Sequence, residues 1–357
     1  MEFLWEGNVR KANPYTPGEQ PNGQGVIKLN TNENPYPPPE LVAEVLMDYN
    51  RDSARLYPDT NSTALTEALA KRYGVDASQI FIGVGSDDVI SMLFMTFFNS
   101  SKPVLFPDIT YSFYEVWADI YKVPFKTLPL DENFRMNPAD YKIENGGIIF
   151  PNPNAPTGVY EPLELVEEIA AANPGAVVIV DEAYVDFGGV SCLPLIEKYD
   201  NLIIVQTFSK SRSMAGMRIG FAVGNKRLIK FLNDVKFSVN SYTMNHISQL
   251  CGAASVKCDV YFKNTLEKII NTRENTKRRL AELGFSFPDS KANFIFARHD
   301  VKNAGEIFNA LKARKIYVRH WNKPRISDYL RITIGTDGEM DTLIEALKGI
   351  INHEQNF

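Results

Sequence analysis

Two charged residues stand where apolar runs should end in nothing charged: Asp181 closes the run VVIVD in VVIVDEAYVDF, and Lys210 follows NLIIVQTFS in NLIIVQTFSKSRSMAGMRIG. A carboxylate taken out of water is strongly destabilised unless it is paired, so Asp181 requires a positive partner at its own depth. Lys210 can be that partner in a strand-to-strand salt bridge. Alternatively, a protonated ring nitrogen faces Asp181 while Lys210 forms an imine with an aldehyde carbon on the same ring. The second arrangement is what pyridoxal phosphate chemistry asks of a protein. The pair alone leaves both open.

Ligands of open α/β sheets lie beyond the carboxyl ends of the strands, so the residues after each apolar run are the informative ones. After IFIGV come Gly85, Ser86 and Asp87, at the start of a helical pattern. Glycine permits close backbone approach and the first amides of a helix hold an anion, although the same residues also make an ordinary N-cap with an acidic first turn. The helix dipole contributes only ~0.3–1 kcal/mol, so a phosphate held there calls for a cation as well. Arg218 in SMAGMRIG supplies a bidentate fork, with the hydroxyls of Thr207 and Ser209 close in sequence. Tyr111, after PVLFPD, comes early enough to stack on a flat ring or to serve as a core aromatic. In the proline-rich loop PNPNAPTG, the bond before Pro156 is a cis candidate, and Asn154 can donate to a phenolate oxygen. Tyr184, three residues past Asp181, can do the same.

The elements that must position these groups follow from hydrophobic periodicity. The N-terminal segment through LNTNENPYPPP, residues 29–39, reads as an extended arm. A helix is expected from Glu40, and another, closed by Gly74, after RLYPD. Seven short runs rich in β-branched residues then alternate with helices such as 87–98 and 163–172, which predicts an α/β fold with a mostly parallel seven-stranded sheet flanked by helices. A long helical region over 226–283 leads into ANFIFAR, KIYVRHW and YLRITIG, the pattern of a smaller α+β domain. The expected division is an N-terminal arm over 1–45 that joins the small domain, a large domain over 46–250 and a C-terminal small domain over 251–357.

With 357 residues, 44% hydrophobic and 23% charged, the composition is that of a globular enzyme. A net charge of −5 and no basic cluster interleaved with aromatics argue against nucleic acid as a partner. Three cysteines without paired spacing and four scattered histidines argue against a disulfide framework or a metal site. The N-terminal segment lacks the apolar core of a signal peptide and no apolar run approaches the about 20 residues that span a bilayer, so no membrane partner and a cytoplasmic location are expected.

Together these motifs resemble the fold type I pyridoxal phosphate family, and within it the class II aminotransferases of the histidinol-phosphate type. The resemblance runs through NPYTPGEQ, LNTNENPYPPP, RLYPD, GVGSDDVI, PNPNAPTG, VDEAYVDF, TFSKSRSMAGMRIG, IYVR and YLRITIG. It implies pyridoxal 5'-phosphate as cofactor, with Lys210 as the Schiff-base lysine, Asp181 as the pyridinium partner, Tyr184 on the ring oxygen and Tyr111 stacked on the ring. Gly85, Ser86, Asp87, Thr207, Ser209 and Arg218 would surround the phosphate. Tyr57 would reach it from the other subunit of a homodimer. Arg331 would bind the anion of both substrates, an amine donor and 2-oxoglutarate, Arg319 matches a second family arginine in substrate binding, and Tyr15 and Asn34 of the arm would close over the side chain. The family loop reads Asn-Asn-Pro-Thr-Gly where this chain has Ala155 as its second residue, so Asn154 is expected to rotate toward the ring oxygen in its place, or Tyr184 to act alone.

The reading implies that a freed Lys210 amine carries the α-proton, kept neutral by the cations of Arg218 and Arg331. Two alternatives share the motifs: a threonine-phosphate decarboxylase on the same scaffold, and a non-catalytic binding protein retaining the fold. A nicotinamide dehydrogenase is disfavoured because no strand is followed by G-x-G-x-x-G with a later acidic residue.

Overall fold

The computed structural model describes residues 3–352. Strand β1 (Ile27–Lys28) and helices α1 (Glu40–Met47) and α2 (Thr63–Tyr73) come first, and α2 stops at Gly74, whose left-handed backbone (φ 69°) closes it as the sequence anticipates. The seven apolar runs become β2 (Ile80–Gly83), β3 (Val104–Pro107), β4 (Phe125–Leu128), β5 (Gly147–Pro151), β6 (Val178–Asp181), β7 (Leu202–Thr207) and β8 (Gly220–Gly224). Between them lie α3 (Ser86–Phe97), α4 (Phe113–Tyr121) and α5 (Leu163–Ala172). They form one sheet in the order β2-β8-β7-β6-β5-β3-β4, parallel except for β8, as the fold-class expectation requires.

Alternation at period two sorts the strand side chains to two cores. Ile82, Ile148, Val178, Val180, Ile204 and Val223 face one helical layer, while Phe81, Ile149, Ile179, Ile203 and Ala222 face the other. Burial on both faces is why these strands read as unbroken apolar runs.

The reversal of β8 brings functional residues together. Gly220 is in register with Gly83 at the end of β2 and with Thr207 at the end of β7. The start of β8 therefore lies at the edge where its parallel neighbours end, and Arg218 arrives there two residues earlier. A side chain at Gly220 would overlap the Gly85 backbone, so this close passage requires glycine.

The helical region over 226–283 is three helices: α6 (Lys226–Val239), α7 (His246–Lys257) and α8 (Asp259–Glu282). Asn240 takes an extended backbone that ends α6, and Asn245 restarts the chain by accepting the Ser248 N–H. Strands β9 (Phe285–Ser286), β10 (Phe294–His299), β12 (Arg319–His320) and β13 (Leu330–Thr333) form a second, antiparallel sheet ordered β12-β13-β10-β9. Helices α9 (Ala304–Ala313) and α10 (Asp337–Asn352) cover it, and β11 (Ile316–Tyr317) pairs with β1. Leu29 of the arm and Tyr184 beyond β6 are buried in this second core, which ties both to the large sheet's carboxyl edge. Among the described residues no helix is long and apolar enough to cross a membrane.

Candidate active site

The carboxyl edge of the large sheet opens into a cavity of about 540 Å³, bounded on the far side by the arm and the small sheet. Ser86, Asp87, Tyr111, Asp181, Tyr184, Ser209, Lys210 and Arg218 line it from the large sheet, and Tyr15, Arg319 and Arg331 from across the opening.

Asp181 sits at the deep end, 5% exposed. It accepts from Tyr114 Oη at 3.1 Å and from the Ala183 N–H at 3.2 Å. Burial pushes its carboxyl up to about 6 against these hydrogen bonds. Lys210 Nζ donates to the Thr31 carbonyl at 3.0 Å rather than to Asp181. Its amine is pushed down to about 8, by burial first and by the Arg331 cation second. Arg218, credited equally with Arg331 from sequence, contributes less than Arg331, while Asp87 and Glu33 pull upward. The direct salt bridge is thus not the arrangement adopted. The two groups line one cavity without neutralising each other.

At the other end, Gly85 takes a positive φ of 87° directly before α3. A Cβ there would stand 2.6 Å from Arg218 Nη2, so the missing side chain leaves room for the guanidinium. Arg218 Nη2 lies 3.3 Å from Asp87 Oδ2, and Tyr111 Oη donates to Asp87 Oδ1 at 2.8 Å. Asp87 therefore orients both a cation and an aromatic ring, leaving its main-chain N–H to face an anion at the start of α3. The Ser209 N–H donates to Thr207 Oγ1 at 3.1 Å, and the two hydroxyl oxygens are 3.0 Å apart.

Arg331, partly buried, donates from Nη2 to the Asn30 carbonyl at 2.8 Å, and its Nε has no hydrogen-bond partner. Its guanidinium lies 5.2 Å from the Trp321 ring centroid and 5.4 Å from that of Phe294. Arg319 donates to the carbonyls of Thr16 and Pro17, so it holds the arm as well as lining the cavity. Tyr15 stacks on Phe113 with centroids 4.3 Å apart.

Thr207 lies behind Ser209 outside the cavity lining, its hydroxyl 3.2 Å from the Ile219 carbonyl, and three further expected residues are placed otherwise. Both bonds in PNPNAPTG that precede proline after Pro151, Asn152–Pro153 and Ala155–Pro156, are cis. Asn154 turns away from the cavity. Its Nδ2 donates to the Ile109 carbonyl and to Thr157 Oγ1, so it has no donor left for a ring oxygen, and of this loop Pro151 and Ala155 line the cavity. Asn34 does not line the cavity either. It donates to the carbonyls of Lys210 and Ser211 and accepts the Tyr36 N–H, which makes it a tie between arm and lysine loop instead of a substrate contact. Tyr57 is 80% exposed, outside its own chain's cavity and stacked on Tyr242.

Sequence reasoning missed Tyr114, Thr31 and Asn32. Tyr114 lies three residues beyond Tyr111, a helical spacing that could have marked it. Asn32 sits between Asn30 and Asn34 in LNTNENP, and only its unusual backbone, with φ 56°, separates it from its neighbours.

The donor set fits pyridoxal phosphate. Asp181 is a buried acid facing the cavity with no cation at hydrogen-bonding distance among the described residues, the cradle at Gly85 meets an arginine, and Lys210 is an amine pushed toward neutrality.

Comparison with known proteins agrees. Residues 24–347 match the family described as aminotransferase class I and II. The chain is similar to a histidinol-phosphate aminotransferase of Lactococcus lactis subsp. cremoris, 50% identical over 98% of this chain and 99% of that one. Among solved structures it is similar to histidinol-phosphate aminotransferase from Sinorhizobium meliloti in complex with pyridoxal-5'-phosphate (TM-score 0.83, 25% identity, 91% of each chain). It also shares its fold with L-threonine-O-3-phosphate decarboxylase from Porphyromonas gingivalis (TM-score 0.78, 20% identity, 92% of this chain and 100% of that one).

Proposed function

The chain belongs to the class I and II aminotransferase family and is a pyridoxal-phosphate-dependent aminotransferase, and from that premise we propose that it moves the amino group of L-histidinol phosphate to 2-oxoglutarate in histidine biosynthesis. The observation that carries the substrate reading is Arg331, a guanidinium beside Lys210 whose Nε is unpartnered. Histidinol phosphate carries a phosphate ester and no carboxylate, whereas the oxo acid carries carboxylates. A planar guanidinium accepts either anion in the same fork, so one arginine serves both halves of the reaction.

When bound, pyridoxal phosphate supplies an aldehyde with which amines condense and a ring that takes up the electron pair left by the α-proton. Asp181 keeps negative charge at the deep end, where it holds the ring nitrogen protonated, and Tyr114 and Ala183 aim its two oxygens. Ser86, Thr207, Ser209, Arg218 and the Asp87 N–H would hold the phosphate, with Tyr111 against the ring and Tyr184 on its oxygen. Lys210 Nζ would take up the α-proton and give it back at the aldehyde carbon of the bound group. A pKa of about 8 leaves a useful neutral fraction near neutral pH, where an ordinary lysine would have almost none. The arm excludes water over this centre through Tyr15 and Asn30 to Glu33. A homodimer completes the reading, with Tyr57 reaching the phosphate end of the partner subunit's cavity.

The test is a half-reaction. Mixing the yellow protein with histidinol phosphate should bleach the visible band of the lysine-bound cofactor, and 2-oxoglutarate should restore it. Bleaching by phenylalanine alone would move the donor to aromatic amino acids. Carbon dioxide release from phosphothreonine without bleaching would replace transamination by decarboxylation.

A further inference from the structure

The hydroxyl of Tyr184 is not alone at the cavity wall. Asn32 Nδ2 donates to Tyr184 Oη at 2.9 Å, and the groups around Asn32 match that direction. Thr333 Oγ1 donates to Asn32 Oδ1 at 3.0 Å and accepts the Asn32 N–H at 3.1 Å, while Asn293 Nδ2 donates to the Asn32 carbonyl at 3.0 Å. In this arrangement the Thr333 hydroxyl satisfies the amide oxygen and leaves the amide nitrogen for Tyr184. Asn32 is 1% exposed and has a left-handed backbone, a conformation that asparagine tolerates but that persists only where the surroundings enforce it.

A phenol has one hydrogen to give. With Asn32 donating to its oxygen, Tyr184 must send that hydrogen elsewhere, and the remaining side faces the cavity it lines with Ala155 and Lys210. No other side-chain donor replaces it from the PNPNAPTG loop, since the Asn154 amide is engaged at Ile109 and Thr157. We propose that Asn32 is a positioning residue that directs the Tyr184 hydroxyl hydrogen into the cavity, onto the ring oxygen of the cofactor, and strengthens that hydrogen bond by polarising the phenol. The inference rests on the cofactor placement given under the proposed function. A chain of two hydrogen bonds, amide to phenol to ring oxygen, is cooperative, so loss of the first weakens the second.

The readout is the proton shared between the cofactor's ring oxygen and its link to Lys210. A donor on the ring oxygen makes that oxygen less basic, so losing the donor makes the shared proton harder to remove. The charged groups facing Lys210 and Tyr184 are Arg331 from β13, Asp181 from β6, Asp87 from α3, Glu33 from the arm and Arg218 before β8, and the substitutions below alter none of them. Asn32→Gly keeps the left-handed backbone and removes the amide. Its pH midpoint for the visible colour change should rise by roughly half to one pH unit, the worth of about one neutral hydrogen bond. Tyr184→Phe should raise it further, and in that background Asn32→Gly should add nothing. Thr333→Val, which removes the donor to the amide oxygen, should give a smaller rise and decides the matter should Asn32→Gly fail to hold cofactor. An unchanged midpoint in these variants, or a shift that survives in full in the Tyr184→Phe background, would overturn the proposal. The titration uses no amine substrate, so it stands or falls independently of which donor the enzyme takes. A visible band that does not depend on Lys210 would instead overturn the cofactor placement.

Discussion

Lys210 Nζ donates to the backbone carbonyl of Thr31, 179 residues away in sequence, at 3.0 Å. The amine thus rests on a neutral acceptor. A carboxylate in that place would have held it charged, whereas a carbonyl leaves burial and Arg331 free to press it toward neutrality. Asn34 donates back to the Lys210 carbonyl, so the arm and the lysine loop hold each other at two points.

Lys210→Ala removes both the cofactor link and the proton carrier. Transamination should fall by about 10⁴-fold or more, with loss of the visible band and an unchanged circular dichroism spectrum. Measurable turnover at more than a hundredth of the parent rate would contradict the role given to it.

Asp181→Asn tests the buried acid in the cofactor-free protein. The folded pKa of about 6 lies above the ordinary 3.8, so the folded state binds more protons between these values. Stability from this group is then fully present below pH 3.8 and is lost as pH rises through 6, by about 3 kcal/mol at most. Urea unfolding at a series of pH values should show that slope in the parent and a flatter one in Asp181→Asn. An identical slope in both would place the titration elsewhere.

Arg331→Lys keeps the charge but loses the fork. KM should rise about 10- to 100-fold for the phosphate-ester donor and for the oxo acid alike. A rise for one substrate alone would mean that separate residues bind the two anions. Arg319→Ala should have a smaller effect on KM and a larger one on proteolytic cleavage of the arm, because its guanidinium is bonded to the carbonyls of Thr16 and Pro17.

Gly85→Ala places a methyl 2.6 Å from Arg218 Nη2 at a φ of 87°, where L residues are strained. A strain of about 1–2 kcal/mol should weaken cofactor affinity roughly tenfold, measured by titrating the cofactor-free protein. Unaltered affinity would mean that the guanidinium moves aside without loss.

The large sheet was legible because its strands are buried on both faces and announce themselves as apolar runs. The residues at their ends were legible for the same reason: a polar group directly after such a run has few places to go except the carboxyl edge. Asp181, Tyr111, Lys210 and Ser209 were found this way, and all line the cavity. The breaks at Asn240 and Cys258 fall at weak helix formers, Ser238 to Thr243 and Cys258 with Asp259, but such residues also occur inside helices, so tertiary packing decides where the chain turns.

By itself, the sequence determined the chemistry available, namely a lysine, an acid, an anion-binding helix start and guanidinium forks at the ends of successive strands. Tertiary structure decided which way each flexible amide points. Asn154, Asn34 and Asn32 are the same residue type in similar polar loops, yet one braces a loop, one ties the arm to Lys210 and one aims at Tyr184. An asparagine amide carries donors and an acceptor on one short side chain, so its role is set by the partners it meets. For Asn32 the partner that locks it is Thr333, 301 residues away, and no local pattern encodes a contact of that range.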